Sequence, residues 1–233
     1  MKFIVLKALM FFDFFYKRKV LLRLKKLLGN DVKIIFDVGG HNGESILLFN
    51  KNFNFLKVYT FEPLKTNFLK LKINTKKIAE KIVYLNCALG EKKENRTIKE
   101  MIETSSSTFN DINEKSKYFK KKKFLLGVKE NKKMFIEKKV SVDQAKNIIK
   151  KFKVDKIDLL KIDTEGYELN VIKGFGENIN VVKVIIFEHH FDLMIKKNYN
   201  YSDINKYLEN KGFHLKYKFK MPFRKTFEYI YSK

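Results

Sequence analysis

The run Ile34-Ile35-Phe36-Asp37-Val38-Gly39-Gly40-His41-Asn42-Gly43-Glu44-Ser45 constrains the fold more than any other part of this chain. Apolar residues rise into an acid, a turn with three glycines follows, and a helical run then begins. That order is a buried strand, a tight loop and a helix start, the layout of a nucleotide-binding first crossover. Glycine takes positive φ and lets a ligand approach the backbone closely. The free N–H groups of the next helix point into the same space. A glycine-rich loop is a weak signal by itself, so a second one is needed.

The second signal is Lys57-Val58-Tyr59-Thr60-Phe61-Glu62-Pro63, another short apolar strand ending in an acid. Glu62 lies 25 positions after Asp37. A dinucleotide-type fold places an acid at the tip of its second strand, roughly 20 residues past the glycines, where it accepts ribose hydroxyls. Pro63 stops the strand by withholding its N–H. The plain alternative is a surface strand cap; the glycine loop upstream favours the nucleoside reading.

The 233 residues, 45% of them hydrophobic, suit one α/β domain with its own core and an N-terminal extension. Cys87 is the only cysteine, which excludes an internal disulfide and any multi-cysteine metal site. A reducing cytoplasm is the expected compartment. The net charge is +24, from 50 Lys and Arg against 26 Asp and Glu. Such an excess points to an anionic partner: nucleic acid, an acidic membrane face or a phosphorylated substrate. The lysines are scattered, however, with one dense run at Lys120 to Lys123, and read better as solvated surface than as a nucleic-acid groove.

Met1 to Tyr16 is apolar and aromatic but carries Lys7 and Asp13, and a basic stretch from Lys17 to Lys26 follows. The apolar part falls short of the roughly 20 residues a membrane span needs. It has no small-residue cleavage site of the kind a signal peptide carries. Residues 1–30 therefore read as an extension of paired amphipathic helices covering one edge of the domain. The competing expectation is an interfacial helix, peripheral at the anionic inner face of a membrane.

Residues 31–233 alternate strands and helices. Strands are expected at Lys33–Asp37, Lys57–Phe61, Ile82–Cys87, Ile157–Ile162, Val181–Phe187, His214–Phe219 and Thr226–Tyr231. Helices are expected at Glu44–Lys51, Thr66–Asn74, Ser141–Phe152, Glu168–Lys173 and Tyr201–Lys211. Crossover connections and a short final turn at residues 220–223 imply an α/β sheet, mostly parallel with an antiparallel edge, helices on both faces. Residues 91–140 break the alternation and read as an insertion with a hairpin and a mobile loop over Thr104 to Lys123.

A third motif, from Ile157 through Asp163, Thr164, Glu165 and Gly166 to Glu168, brings a buried strand to two acids and a turn. The next strand ends in Glu188-His189-His190. Asp37, Glu62, Asp163 and Glu188 thus stand at four strand ends, on the side where open α/β sheets bind ligands.

Together, Asp37 to Gly43, Phe61-Glu62-Pro63, Cys87-Ala88-Leu89-Gly90, Ser105 to Thr108, Leu160 to Glu168 and Ile186-Phe187-Glu188 resemble the FkbM family of S-adenosylmethionine-dependent methyltransferases. The resemblance covers roughly residues 34 to 190. It implies the seven-stranded Rossmann-like sheet of class I methyltransferases and O-methylation, often of sugars or secondary metabolites. His41 departs from the family's more usual Asn, which bears on the hydrogen bonding of the loop. By position, Asp37, Gly39, Gly40, His41 and Gly43 would hold the methionine part of S-adenosylmethionine. Glu62 would bind the ribose, and Asn86 and Ala88 would flank the adenine. Asp163 would lie by the acceptor, and Asp163, Glu165, Glu188 and His189 are the candidates for taking the acceptor's proton. Clustered acids could also hold a divalent metal, although no ligand spacing demands one.

Three function classes compete. The first is a methyltransferase acting on a small-molecule or glycan hydroxyl. The second is an RNA methyltransferase using the basic surface. Base-amine and cytosine-C5 methylation are set aside, because Pro63 and Pro222 are the only prolines and Cys87 precedes Ala. The third, a nicotinamide oxidoreductase, needs G-x-G-x-x-G, and the spacing Gly39, Gly40, Gly43 fails it.

Overall fold

The computed structural model describes residues 2–29, 31–129 and 131–233, with side chains from Phe12 onward apart from Phe14. Helix α1 (Lys2–Leu28) precedes β1 (Ile34–Val38), α2 (Glu44–Asn50), β2 (Lys57–Phe61), α3 (Lys65–Asn74) and β3 (Ile82–Leu85). The middle of the chain forms β4 (Ala88–Leu89), β5 (Glu94–Met101), β6 (Asp111–Ile112), α4 (Lys117–Leu125) and β7 (Phe135–Asp143). The remainder forms α5 (Ala145–Phe152), β8 (Ile157–Ile162), α6 (Glu168–Lys173), β9 (Val182–His190), β10 (Ile195–Lys196), α7 (Tyr201–Asn210), β11 (His214–Lys220) and β12 (Thr226–Ser232).

Seven strands make one sheet in the order β11-β12-β9-β8-β1-β2-β3. The five from β9 to β3 are parallel, and β12 runs antiparallel between β9 and β11. The chain leaves β1 in one direction towards β3 and later returns to its other side with β8. The crevice at the carboxyl ends of β1 and β8 is therefore the topological switch point, where sheets of this kind take their ligands.

Both faces of the sheet are covered, which is why its central strands read as almost continuous apolar runs. Phe36, Leu160, Ile185 and Phe187 pack against Ile148 of α5, Ile172 of α6 and Ile204 and Leu208 of α7. On the other face Ile35, Leu159, Val184 and Ile186 meet Val20, Leu24 and Leu28 of α1 and Ile46 and Phe49 of α2.

Four local expectations are corrected. The N-terminal segment forms one helix of 27 residues rather than a pair. Nothing between Lys2 and Leu28 breaks it, and it stops only at Gly29, with φ +77°. The helix expected from Ser141 starts at Ala145, because Ser141 and Val142 pair with Asn95 and Glu94 and keep β7 extended. The strand expected through Cys87 stops at Leu85, and residues 88–89 join a separate three-stranded sheet, β4-β7-β5. The segment Thr104 to Lys123 carries ordered structure: a 3-10 turn at Thr104–Ser106, strand β6 paired with β10, and helix α4. Among the described residues no helix is long and apolar enough to cross a membrane.

Candidate active site

The glycine loop is fastened from two sides. Gly39 and Gly40 both donate their N–H groups to the Phe61 carbonyl at 3.0 Å, which ties the loop to the end of β2. Gly39 has φ +86°, and a Cβ there would overlap the Asp163 carbonyl. The ends of β1 and β8 thus meet backbone to backbone, and only glycine fits.

Glu62, just past β2, closes the loop with its carboxylate. One oxygen accepts the His41 N–H at 2.9 Å and the other accepts the Leu64 N–H at 2.9 Å. Burial pushes its pKa up to about 7, against the two N–H bonds, which favour the anion. Asn86 supports the same corner, donating its side-chain N–H to the Glu62 and Pro63 carbonyls. His41 takes φ +45° and links the loop to the insertion. Its Nε2 lies 2.9 Å from Thr104 Oγ1 and its Nδ1 lies 3.2 Å from Glu44. Burial opposes a charge on this ring, but the bond to Glu44 and the field of nearby carboxylates raise its pKa.

Beside the loop, alternation along the strands sets a row of charged groups on the face covered by α1. Asp37 of β1 is paired in register with Lys161 of β8, and Glu188 of β9 with Glu228 of β12. The Lys161 ammonium lies 3.5 Å from Asp37 and 3.3 Å from Asp163. Burial raises the pKa of Asp37 even with this ammonium nearby. Glu188 is raised well above the carboxylate range by burial and by Asp163 and Glu228. Glu228 is pushed up to about 7 by burial, while the Tyr16 hydroxyl donates to it from α1 at 2.8 Å.

Loop and charged row open into one cavity of about 510 Å³, within the roughly 300–1,000 Å³ typical of small-molecule sites. Of the residues singled out from sequence, Gly39, Gly40, His41, Glu62, Ala88, Asp163, Glu165 and Glu188 line it. Asp37, Gly43, Asn86 and His189 do not. Asp37 is fully buried beneath the loop, held by Thr60 and Lys161, so its influence on the cavity is indirect. Asn86 is occupied with backbone carbonyls, and Gly43 packs on α3 near Thr75 and Leu71.

His189 was expected to adjoin the acids of the cleft, and β9 explains why it does not. The strand continues to His190, so Glu188 and His189 point to opposite faces. His189 packs against Phe191, Tyr199 and Tyr201, with Lys197 3.2 Å from its ring. Burial, helped by the Lys197 charge, drives its pKa down to about 3.

Sequence reasoning missed Lys161, Tyr16, Glu228 and Asn67, all of which line the cavity. A lysine inside an apolar strand was the available signal for Lys161. The others depend on pairing and helix placement. Asn67 is buried, and its Oδ1 has no hydrogen-bond partner. Leaving a buried acceptor unmatched costs about 1–3 kcal/mol, and a ligand donor would relieve it.

Glu165 occupies a strained left-handed conformation, φ +50°, with its carbonyl held by the Thr108 hydroxyl at 2.6 Å. Its carboxylate lies 3.3 Å from His190 Nε2. His190 Nδ1 faces Thr226 Oγ1 at 3.1 Å and Asp192 at 3.7 Å. Among the described residues no group of three His, Cys, Asp or Glu side chains converges as a metal-ligand set.

The site's features suit an adenosine-type cofactor: a glycine loop at a switch point, the Glu62 carboxylate just past β2, an orphaned buried acceptor and apolar walls from Leu64, Ala88 and Leu89. Comparison with known proteins agrees. Residues 37–215 match the family described as Methyltransferase FkbM domain. No curated protein matches the chain. Among solved structures, the fold is similar to methyltransferase FkbM from Methylobacillus flagellatus KT, with 18% identity and a TM-score of 0.52, over 87% of this chain and 44% of that one. This chain thus spans less than half of that protein. M. capricolum TrmK in complex with S-adenosyl-homocysteine is similar at 10% identity and a TM-score of 0.51, over 92% and 67% of the two chains. Magnesium protoporphyrin IX methyltransferase (ChlM) from Synechocystis PCC 6803 with bound SAM is similar at 10% identity and a TM-score of 0.50, over 93% and 77%. At these identities the likeness is one of fold. The family match extends over most of the chain and begins at the acid that opens the glycine loop: the chain belongs to the FkbM methyltransferase family.

Proposed function

We propose that this protein transfers a methyl group from S-adenosylmethionine to a hydroxyl of a small polyhydroxylated acceptor, a sugar or glycan precursor. The observation that carries the reading is the continuity of the cavity. Its glycine loop and Glu62 open into the same space as Asp163, Glu165, Glu188 and Glu228.

When bound, the cofactor supplies an electrophilic methyl group on a sulfonium. The chain's own residues do the rest. Glu62 retains lone pairs beyond those used by His41 and Leu64, and these accept the ribose hydroxyls. Asn67 offers its free acceptor to a donor on the ligand. Asp163, Glu165, Glu188 and Glu228 accept hydrogen bonds from acceptor hydroxyls and hold the reacting oxygen in line, the main route to rate in a displacement of this kind. Glu165, which burial pushes up to about 7, is poised to take the acceptor's proton near neutral pH.

The competing reading is RNA methylation on the basic surface. The cavity lining argues against it, with eight carboxyl side chains set against Lys17, Lys161 and Arg224. A phosphodiester in that space meets repulsion, whereas a neutral polyol does not.

Calorimetric titration of the purified protein with S-adenosylmethionine and with NAD is the direct test. Micromolar binding of the methyl donor alone, lost in Glu62→Ala, is the expected result, followed by S-adenosylhomocysteine release with hydroxylated acceptors. Binding of NAD in place of the donor overturns the reading.

A further inference from the structure

Helix α1 covers the charged row with one side, and its other side carries a pattern that covering alone does not require. At about 100° per residue, Tyr16, Val20, Leu24 and Leu28 form the inward arc, and all pack on the sheet or its charged row. The opposite arc interleaves two kinds of residue. Phe12, Phe15 and Leu22 are 45%, 50% and 60% exposed. Arg18 and Lys26 lie among them, also exposed, and Lys19 and Arg23 border the arc, exposed with their charged ends over the Phe219 and Tyr217 rings of β11. The helix has a single acid, Asp13, which lies on the inward side and pairs with Arg224 at 3.9 Å. The outward arc, over its described side chains, is therefore cationic and apolar with no acid.

The turn between β11 and β12 extends this surface. Phe223 is 72% exposed, and its ring meets that of Phe12 edge-on at 5.2 Å. Lys220 and Lys225 flank it, both exposed. Two elements distant in sequence thus present aromatic rings set among lysines and arginines on one surface.

We propose that the outward face of α1 and the tip of the β11–β12 turn dock on an anionic lipid bilayer. The complementarity is specific to that partner. Cations draw the helix to acidic headgroups, and the phenylalanines and leucine between them enter the headgroup boundary. Among the described residues no helix is long and apolar enough to cross the bilayer, and the exposed arc sets α1 along its surface. A nucleic-acid duplex would use the cations and leave the apolar residues in water. Asp13, Lys17, Met221 and Arg224 belong to the same two elements and line the cavity, so the docked protein holds its cavity beside the membrane. The proposal does not depend on the methyl-transfer reading.

Co-sedimentation of the full chain with vesicles tests it. Phosphatidylcholine vesicles containing phosphatidylglycerol should carry the protein down at low salt, and pure phosphatidylcholine vesicles should not. Screening by salt should release it. The triple variant R18Q/K19Q/K26Q and the variant F12S/F15S/L22S should each weaken binding at least about tenfold. A charge-matched control, K117Q/K120Q/K121Q on α4, should bind as the unaltered protein does, with melting curves confirming that each variant is folded. Absence of sedimentation with anionic vesicles overturns the proposal. So does an equal loss in the α4 control, or tight binding to single-stranded RNA with none to vesicles.

Discussion

Glu165 and His190 form a buried pair at the carboxyl end of the sheet, Oε2 to Nε2 at 3.3 Å, although one follows β8 and the other ends β9. The pairing gives the protein a defined response to pH. Burial works against a charged imidazole, but Glu165, the Asp192 bond and the fields of Glu188 and Glu168 outweigh it and push His190 up to about 10. A raised histidine contributes stability that is fully present below its unfolded pKa of about 6.5 and is lost as pH rises through the folded value. Glu165, raised to about 7 by burial, also holds its proton more tightly folded than unfolded, so it too costs stability as pH climbs to 7. Melting temperature should fall as pH rises from 7 to 10. His190→Gln should melt lower at pH 7 and show a flatter decline, and parallel pH profiles for the two proteins would count against the pair.

Lys161 offers a second prediction. Its ammonium is buried between Asp37 and Asp163, and their charges hold its pKa above the ordinary lysine value despite burial. Removing one partner of a buried ion pair leaves an uncompensated charge and costs about 3–5 kcal/mol. Lys161→Met should lower the denaturation midpoint accordingly. Adding Asp37→Asn should recover part of that loss, because the neutral amide no longer needs the ammonium. A double variant no more stable than the single one would show that Lys161 acts through packing alone.

The glycine loop can be tested against a glycine elsewhere. Gly39 and Gly212 both have positive φ, but a Cβ meets the Asp163 backbone at the first and nothing within 4 Å at the second. Gly212→Ala should therefore carry only the conformational strain of a left-handed alanine, about 1–2 kcal/mol. Gly39→Ala must in addition separate β1 from the end of β8, and should lose more than that together with cofactor binding. Equal melting temperatures for the two variants would contradict the close approach.

What was legible in the sequence follows from where the information lies. Strand β1, the glycine loop, Glu62 and the turn after β8 are each encoded within a dozen residues, and local rules sufficed for them. His189 shows the limit. Its placement depends on whether β9 ends at Phe187 or at His190, and that is decided by pairing with β12, nearly forty residues later. One residue of strand continuation reverses the face. Glu228 and Tyr16 were invisible for the same reason: they reach the cavity through a cross-strand register and a helix laid over it. The hairpin of the insertion is legible, and β5 and β7 do pair antiparallel, but its Thr104 to Lys123 stretch reads as a mobile loop because lysine-rich sequence carries little period. Yet Met101, Phe119 and Met134 pack there into a small core closed by Met194 and Ile195 from beyond the insertion.

Glu62 carries the last prediction, and its role in the loop can be separated from its proposed role in ribose binding by an isosteric change. As a carboxylate it accepts the His41 and Leu64 N–H groups, which shapes the loop, and it has lone pairs left for a diol. Glu62→Gln keeps the volume and one acceptor oxygen but turns an NH2 group towards a backbone N–H. One of the two loop bonds must then be lost. Hydrogen bonds to a charged group contribute about 1.5–3 kcal/mol, so S-adenosylmethionine affinity should fall by roughly ten- to a hundred-fold. Stability without ligand should move in a less obvious direction. Burial already raises the Glu62 pKa to about 7, so removing the charge relieves a desolvation cost that offsets the lost loop bond. The expected signature is weak ligand binding with a nearly unchanged melting temperature near neutral pH. A variant that binds the donor as tightly as the unaltered protein would place the ribose elsewhere. One that melts far lower without ligand would make Glu62 a structural acid first, with its contribution to binding exerted through the loop.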